Sequence, residues 1–346
     1  MRKYLPYIGA VLVLAAVACW FVYNGINTPE SINKREGAFA VEDVSDIDRI
    51  YIENSEKKHV TLTKKDGKWY VDGDNEVRAD MITNLLDVLK RVESLSPVPS
   101  NAHDNVLRSM AAEFVKVDVY TGSDKPEKSF LVGGATIDNR GTYMLLDMGE
   151  KMAARPHIAF VPGYQGYLTP VFNTDHETWR SRVVFSYKPE EIKQLKLEYA
   201  TTPEKSFVIN QVTADSFTVA PINPQYKINE HNEAKYITQY LGFYKDIQME
   251  AYDNDYPNKD SIYQRPFAKF TVINTKGEEN EVNMYYMPIG KRTKERYDQY
   301  GRALNYDPDR YYATTNHGKD FTIVQYVVFG KLLRQYKDFY YKPGGN

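Results

Sequence analysis

The stretch "IDRIYIENSEKKHVTLTKKDGKWYVDG", from Ile47 to Gly73, decides the fold. Ile47, Ile50 and Ile52 mark a first strand. "HVTLTKK" marks a second, and "KWYVDG" a third beyond an Asp66-Gly67 turn. Apolar runs punctuated by turn residues predict an antiparallel β-meander. Directly downstream, "ADMITNLLDVLKRVESL" places Met81, Leu85, Val88, Leu89 and Val92 on one helical face, the period of an amphipathic helix.

The same grammar returns further along the chain. In "EEIKQLKLEYA", Ile192, Leu195 and Leu197 stand where the first copy has Ile47, Ile50 and Ile52. "SFVIN" matches "HVTLT", and "SFTVAP" matches "KWYVDG" with Phe217 in the place of Trp69. A second helix is expected with Ile237, Leu241, Tyr244 and Ile247 on one face. "AEFVKVDVYTG" then pairs with "RPFAKFTVINTKG", "KSFLVGG" with "NEVNMYYMP", "TYMLLDMG" with "RYYATTN", and "HIAFVPGYQGYL" with "DFTIVQYVVFGKLL". The period is too long for a solenoid. The expected fold class is α+β: two tandem, duplicated domains of antiparallel β-meanders with packed helices. They run over 41–187 and 188–342 and divide near Tyr187-Lys188-Pro189, with a tail at 343–346.

The run from the first strands through "DGKWYV" to "ADMITNLLDVLKRVESL", and later "HETWRSRVVF" followed by "IKQLKLEY", resembles the bacterial domain of unknown function 4340 family. The polar insert Asn223–Asn232 departs from that family's pattern. The resemblance implies an envelope protein held by one N-terminal helix, with a transporter of the gliding type or a secretion machine as partner. It brings no functional residues to transfer.

The N-terminus fits that implication on its own terms. Leu5 to Tyr23 carries no charge, close to the ~20 apolar residues that span a bilayer as a helix. Tyr4 and Tyr7 mark one membrane interface, and Trp20 and Tyr23 the other. Arg2 and Lys3 precede the segment and Glu30 is the first charge after it, so the bulk of the chain is expected outside the cytoplasm. The expected order is a cytoplasmic tip (1–4), a signal anchor in a bacterial inner membrane (5–23) and a polar linker (24–40) before the periplasmic region. Cys19 is the single cysteine. A small residue precedes it, so acylation as a lipoprotein is the alternative, although Trp20 to Tyr23 continue the apolar run.

Composition narrows function by exclusion. The net charge of −2 lacks the basic excess of a nucleic-acid binder. No disulfide is available beyond residue 19. The 29 tyrosines suit a Tyr-rich sheet surface or a platform for a partner or glycan.

The six histidines show no zinc spacing, and there is no nucleophile elbow or phosphate loop. No cofactor is expected. "VGGAT" (132–136) reads as a hairpin turn. Asp175-His176-Glu177 is the densest reactive cluster; Asp175 is expected to cap a helix, with Trp179 in the core and Arg180 and Arg182 outward. Asp253, Asp255, Asn258 and Asp260 echo a calcium loop but lack its glycine and closing glutamate. Asp307 and Asp309 read as a turn between strands.

The segment with most promise is "ARPHIAFVPGYQGYLTPVF". Phe160, Tyr164, Tyr167 and Phe172 form a candidate partner-binding loop, since aromatics on a Gly-rich loop make contacts at small entropic cost. The expected function is a non-enzymatic subunit or accessory factor of an envelope complex. The alternatives are a glycan- or peptidoglycan-binding module, or a hydrolase whose site would gather Asp175, His176 and Arg155.

Overall fold

The computed structural model describes residues 12–20, 34–228 and 234–340. Residues 12–20 are helical and leave Leu12, Val13, Leu14 and Trp20 exposed. The rest of the expected Leu5–Tyr23 anchor, with Tyr4, Tyr7 and Tyr23, lies outside the described residues, as do the tail and residues 229–233 of the polar insert. Among the described residues no helix is long and apolar enough to cross a membrane.

The fold mixes helices with antiparallel sheets in two compact units that part between Ser181 and Arg182. Unit 1 opens with the meander β1 (Arg49–Asn54), β2 (His59–Lys65) and β3 (Lys68–Val71), and a short β4 (Asn75–Glu76). Helix α1 (Ala79–Arg91), β5 (Glu93–Pro97) and helix α2 (Ser100–Ala112) follow. Strands β6 (Val115–Tyr120), β7 (Lys128–Ala135), β8 (Thr142–Asp147) and β9 (His157–Phe160) complete it. The sheet runs β4-β3-β2-β1-β6-β7-β8-β9-β5.

Unit 2 begins with β10 (Val183–Phe185), which pairs with β14 (Ile247–Gln248). That pairing moves the division upstream of the expected Tyr187–Pro189. Its meander is β11 (Ile192–Tyr199), β12 (Phe207–Thr213) and β13 (Ser216–Pro221). Helix α3 (Ala234–Leu241) and β15 (Ala251–Tyr252) precede β16 (Ala268–Asn274), β17 (Glu279–Pro288), β18 (Tyr306–Thr315) and β19 (Asp320–Gln325). The sheet runs β13-β12-β11-β16-β17-β18-β19-β15.

Apart from β4, which has no counterpart in unit 2, the two orders match, and so do the registers at the central strands. Ile52 lies opposite Val60 and Val117; Leu197 lies opposite Phe207 and Phe270. Ile50 lies opposite Leu62 and Val119; Leu195 lies opposite Ile209 and Val272. All twelve side chains are buried. Period-two alternation on each strand puts them on one face, and a slip of one residue would expose the whole set.

The helices close that face. Ile82, Leu85, Val88 and Leu89 of α1 are buried in unit 1. Asp80 in the first turn and Lys90 and Arg91 in the last complement the helix dipole. In unit 2 Ile237, Leu241, Tyr244 and Ile247 are all fully buried, as expected of that face, although Ile247 belongs to β14. Tyr240 also enters the core, donating to the Leu332 carbonyl (2.8 Å) and lying 2.8 Å from the Tyr244 hydroxyl. Paired this way, buried phenols avoid the cost of an unmet donor.

Several expectations need correction. The first helix stops at Arg91, because Glu93–Pro97 pairs with β9. Helix α2 buries only Val106 and Met110, too thin a stripe for its periodicity to mark a helix in the sequence. Gly133 and Gly134 belong to β7 at a bulge, and the turn comes later, where Thr136 bonds Gly141. Asp307 and Asp309 sit within β18, with Asp307 buried and bonded to Thr293 (2.7 Å). The end of the expected linker is part of the core. Phe39 is fully buried, edge-on to Phe130 and His157. Glu36 accepts from the Ala154 N–H (2.9 Å), and the Val41 N–H donates to Leu89 (2.9 Å).

Candidate functional site

A cleft of about 1150 Å³ lies in unit 1. Its walls are the β1–β2 turn (Asn54 to Glu56), the exit of α2 into β6 (Ala111 to Val115), the β7 bulge (Val132 to Ala135), and stretches of the 167–174 segment. Each wall has a local cause. Asn54 Oδ1 accepts from the Glu56 and Lys58 N–H groups (both 3.0 Å), which sets the turn, and Lys57 takes a left-handed φ of 68°. Asn54 Nδ2 reaches across the cleft to Thr174 Oγ1 (3.2 Å). Thr169 Oγ1 donates to the Gly133 carbonyl (2.6 Å), and Trp179 Nε1 to that of Asn173 (2.8 Å).

The bulge needs glycine for space. A Cβ at Gly133 would meet Met110 Cγ at 2.7 Å, whereas Gly134 faces open space. β6 pairs with β7 only as far as Val115–Val132. The backbone of Gly133 to Ala135 therefore extends past its neighbour as part of the cleft wall.

The lining mixes amide, hydroxyl and aromatic groups with small apolar residues. Asn54, Asn139, Asn173, Thr174 and Tyr167 contribute, with Glu56 and Glu113 as its charged groups. Among the described residues no lysine, arginine or histidine lines it. Such a wall can bind neutral or cationic polar chains by hydrogen bonds and ring contact, and it repels anions.

The expected loop residues divide. Tyr164 and Tyr167 are exposed, and Tyr167 lines the cleft. Phe160 ends β9 and is half-buried. Phe172 is buried against Phe130, ring centroids 5.9 Å apart, so it supports the cleft as core rather than as a contact. Nothing in the local sequence marks Asn54, Asn139 or the β7 bulge as neighbours of Tyr167, because each comes from a different strand connection.

The reactive cluster is used for architecture. Asp175 caps the single turn His176–Trp179, accepting from the Thr178 N–H (2.9 Å), and Trp179 is fully buried. Arg180 is buried as well, contrary to expectation, because Glu177 meets it at 3.0 Å. His176 Nδ1 lies 2.6 Å from Asp72 Oδ2, and Asp72 Oδ1 accepts from the Thr61 N–H. This ties the end of β3 to the 175–179 turn. Arg155 is exposed.

His157 is the deepest titratable group of unit 1. Its Nδ1 lies 2.7 Å from Ser94 Oγ, while Nε2 is buried with no hydrogen-bond partner among the described residues. Burial pushes its pKa below the ordinary histidine value; Glu36 opposes that shift and Arg155 adds to it. Among the described residues no group of three or more His, Cys, Asp or Glu side chains gathers to hold a metal. Asn254, inside the loop that carries Asp253 and Asp255, accepts from the Phe321 N–H (2.7 Å) and so pins the loop to β19.

Unit 2 carries many of the tyrosines on its sheet. Phe267, Tyr286 and Tyr306 stack in sequence, with centroids 4.3 and 4.8 Å apart, and Tyr286 and Tyr306 remain about half exposed. Comparison with family models, curated proteins and solved structures returns no match.

Proposed function

We propose that this chain is a membrane-anchored, periplasmic, non-enzymatic subunit or accessory factor of a bacterial envelope complex, possessing two tandem domains that arose by duplication. The cleft of unit 1 is its partner site. The observation that carries the reading is the cleft itself: a large, preorganised groove whose lining is built for hydrogen bonding and ring contact. Matching strand order and register in the two units support duplication. The apolar, exposed helical residues 12–20 support the anchor, and the resemblance noted above supports an envelope machine, a gliding-type transporter or secretion system, as the partner.

A second reading, a glycan-binding module, is favoured by one feature. The amides and carboxylates around Tyr167 suit hydroxyl-rich ligands as well as peptides. One experiment separates the two. A photo-crosslinking residue replaces Asn139 or Tyr167 in native membranes, with Val212, exposed on β12, as control. Discrete protein adducts from the cleft positions alone support the complex subunit. Adducts with cell-wall fragments move the second reading ahead. Silence at both cleft positions, or the same adducts from Val212, overturns the cleft as partner site.

A further inference from the structure

The loop joining β17 to β18 spans residues 289–305, against 136–141 for its counterpart between β7 and β8. The counterpart connection joins its two strands with six residues, so the extra length is not needed to make the turn, and ordered loops beyond about 12–15 residues are usually functional. This one is a built hairpin. Thr293 is buried; its hydroxyl accepts from the Gly290 N–H (3.0 Å) and donates to Asp307 (2.7 Å). Asp298 Oδ1 accepts from the Tyr300 and Arg302 N–H groups (both 2.9 Å), and Leu304 N–H donates to the Arg296 carbonyl (2.9 Å).

Arg296 also donates to the Gly290 carbonyl (3.1 Å) and Arg302 pairs with Asp298 (2.7 Å), so two of the exposed cations brace the hairpin they project from. Tyr297 and Tyr300 are 65% and 74% exposed. Lys291, Arg292, Lys294, Arg296 and Arg302 are exposed around them. The acidic residues of the hairpin are Glu295 and Asp298, and Asp298 is already taken by Arg302 (2.7 Å). Lys291, Lys294 and Arg296 form no salt bridge among the described residues. At the base, the half-exposed Tyr286 and Tyr306 continue the aromatic surface. Within 289–305 five basic residues stand against two acidic ones in a chain with a net charge of −2, and Arg292 also faces Glu250 and Asp253 nearby.

We propose that the hairpin docks on an anionic lipid surface. Its lysines and arginines meet headgroup phosphates, and the Tyr297 and Tyr300 rings sit at headgroup depth. Basic clusters are drawn to anionic leaflets, and tyrosine favours the membrane–water interface. The two lysines are of a type depleted at protein interfaces, while arginine and tyrosine are enriched there, so an acidic macromolecule is the occupant the test must exclude. The inference rests on the membrane location proposed above.

The test reconstitutes the full chain in nanodiscs of phosphatidylcholine alone or of phosphatidylcholine with phosphatidylglycerol, and follows backbone hydrogen exchange over 289–305. Exchange slows several-fold in the anionic discs only. The slowing disappears at about 0.5 M salt, where screening is nearly complete beyond a few ångströms, and in Lys291→Glu/Lys294→Glu. That variant matches the wild type in phosphatidylcholine discs, which shows its hairpin is intact. Equal exchange in both kinds of disc overturns the proposal. So does protection by an added acidic polypeptide with none from lipid, which assigns the patch to an acidic macromolecule. Alkaline carbonate extraction of native membranes reads the anchor separately: release of the chain sinks the anchor, while exchange on externally added discs still decides the hairpin.

Discussion

Ser94 Oγ and His157 Nδ1 lie 2.7 Å apart, directly against the backbone of Gly37, where a Cβ would stand 2.7 Å from Ser94 Cβ and 2.9 Å from His157 Nδ1. The segment that enters the fold from the N-terminal side is thus seated on a buried, titratable ring. Its pKa lies below the ordinary 6.5, chiefly through burial.

That arrangement makes stability depend on pH. As pH falls, the unfolded chain takes up the imidazole proton before the folded chain does. The stability held by the neutral ring is therefore complete above about pH 6.5 and is lost progressively below it. We expect Tm to fall between about pH 7 and about pH 5 more steeply in the wild type than in His157→Gln, which keeps a polar side chain and cannot titrate there. Thermal unfolding across that range checks this, and parallel slopes would remove His157 as the cause.

The strap before β1 belongs to the core energetically. Phe39→Ala is expected to cost about 3–5 kcal/mol, as for other buried aromatics. Gly37→Ala should cost about 1–3 kcal/mol through overpacking on Ser94 and His157. Denaturant unfolding of both variants measures this. Wild-type stability in Phe39→Ala would mean that the strap is only laid on the unit.

Trp179 holds the back of the cleft. Its ring is fully buried and its Nε1 donates to Asn173, a lining residue. Trp179→Ala should cost about 3–5 kcal/mol. Trp179→Phe should cost about 1 kcal/mol for the lost hydrogen bond, with hydrogen exchange rising locally around Asn173. An Asn173 region as protected in Trp179→Phe as in the wild type would refute the positioning role.

Tyr167→Ala tests function without touching the fold. The ring is exposed, so stability should stay within about 0.5 kcal/mol of wild type. Crosslinking to the partner through Asn139 should fall several-fold. Unchanged crosslinking would leave Tyr167 without a part in recognition.

The sequence by itself determined everything that repeats over short spacings. Ile50 and Ile52, or Leu195 and Leu197, declare a strand face by alternation. Leu85, Val88 and Leu89 declare a helix face, and the order of such signals along the chain recurs. The Asp175 cap was legible for the same reason, since a cap spans three residues. Other features were decided only by the tertiary structure, because they join positions with no fixed separation along the chain. Strand β6 comes to lie beside β1 after an intervening helix pair, and Asn54 meets Thr174 across 120 residues. Phe39 looked like linker because its partners, Phe130 and His157, arrive much later. Asp307 looked like a turn because the hydroxyl that satisfies it, from Thr293, comes from a neighbouring hairpin. Local periodicity carries the backbone's own geometry, whereas a cleft is the sum of chain reversals whose partners are chosen only once the core has closed.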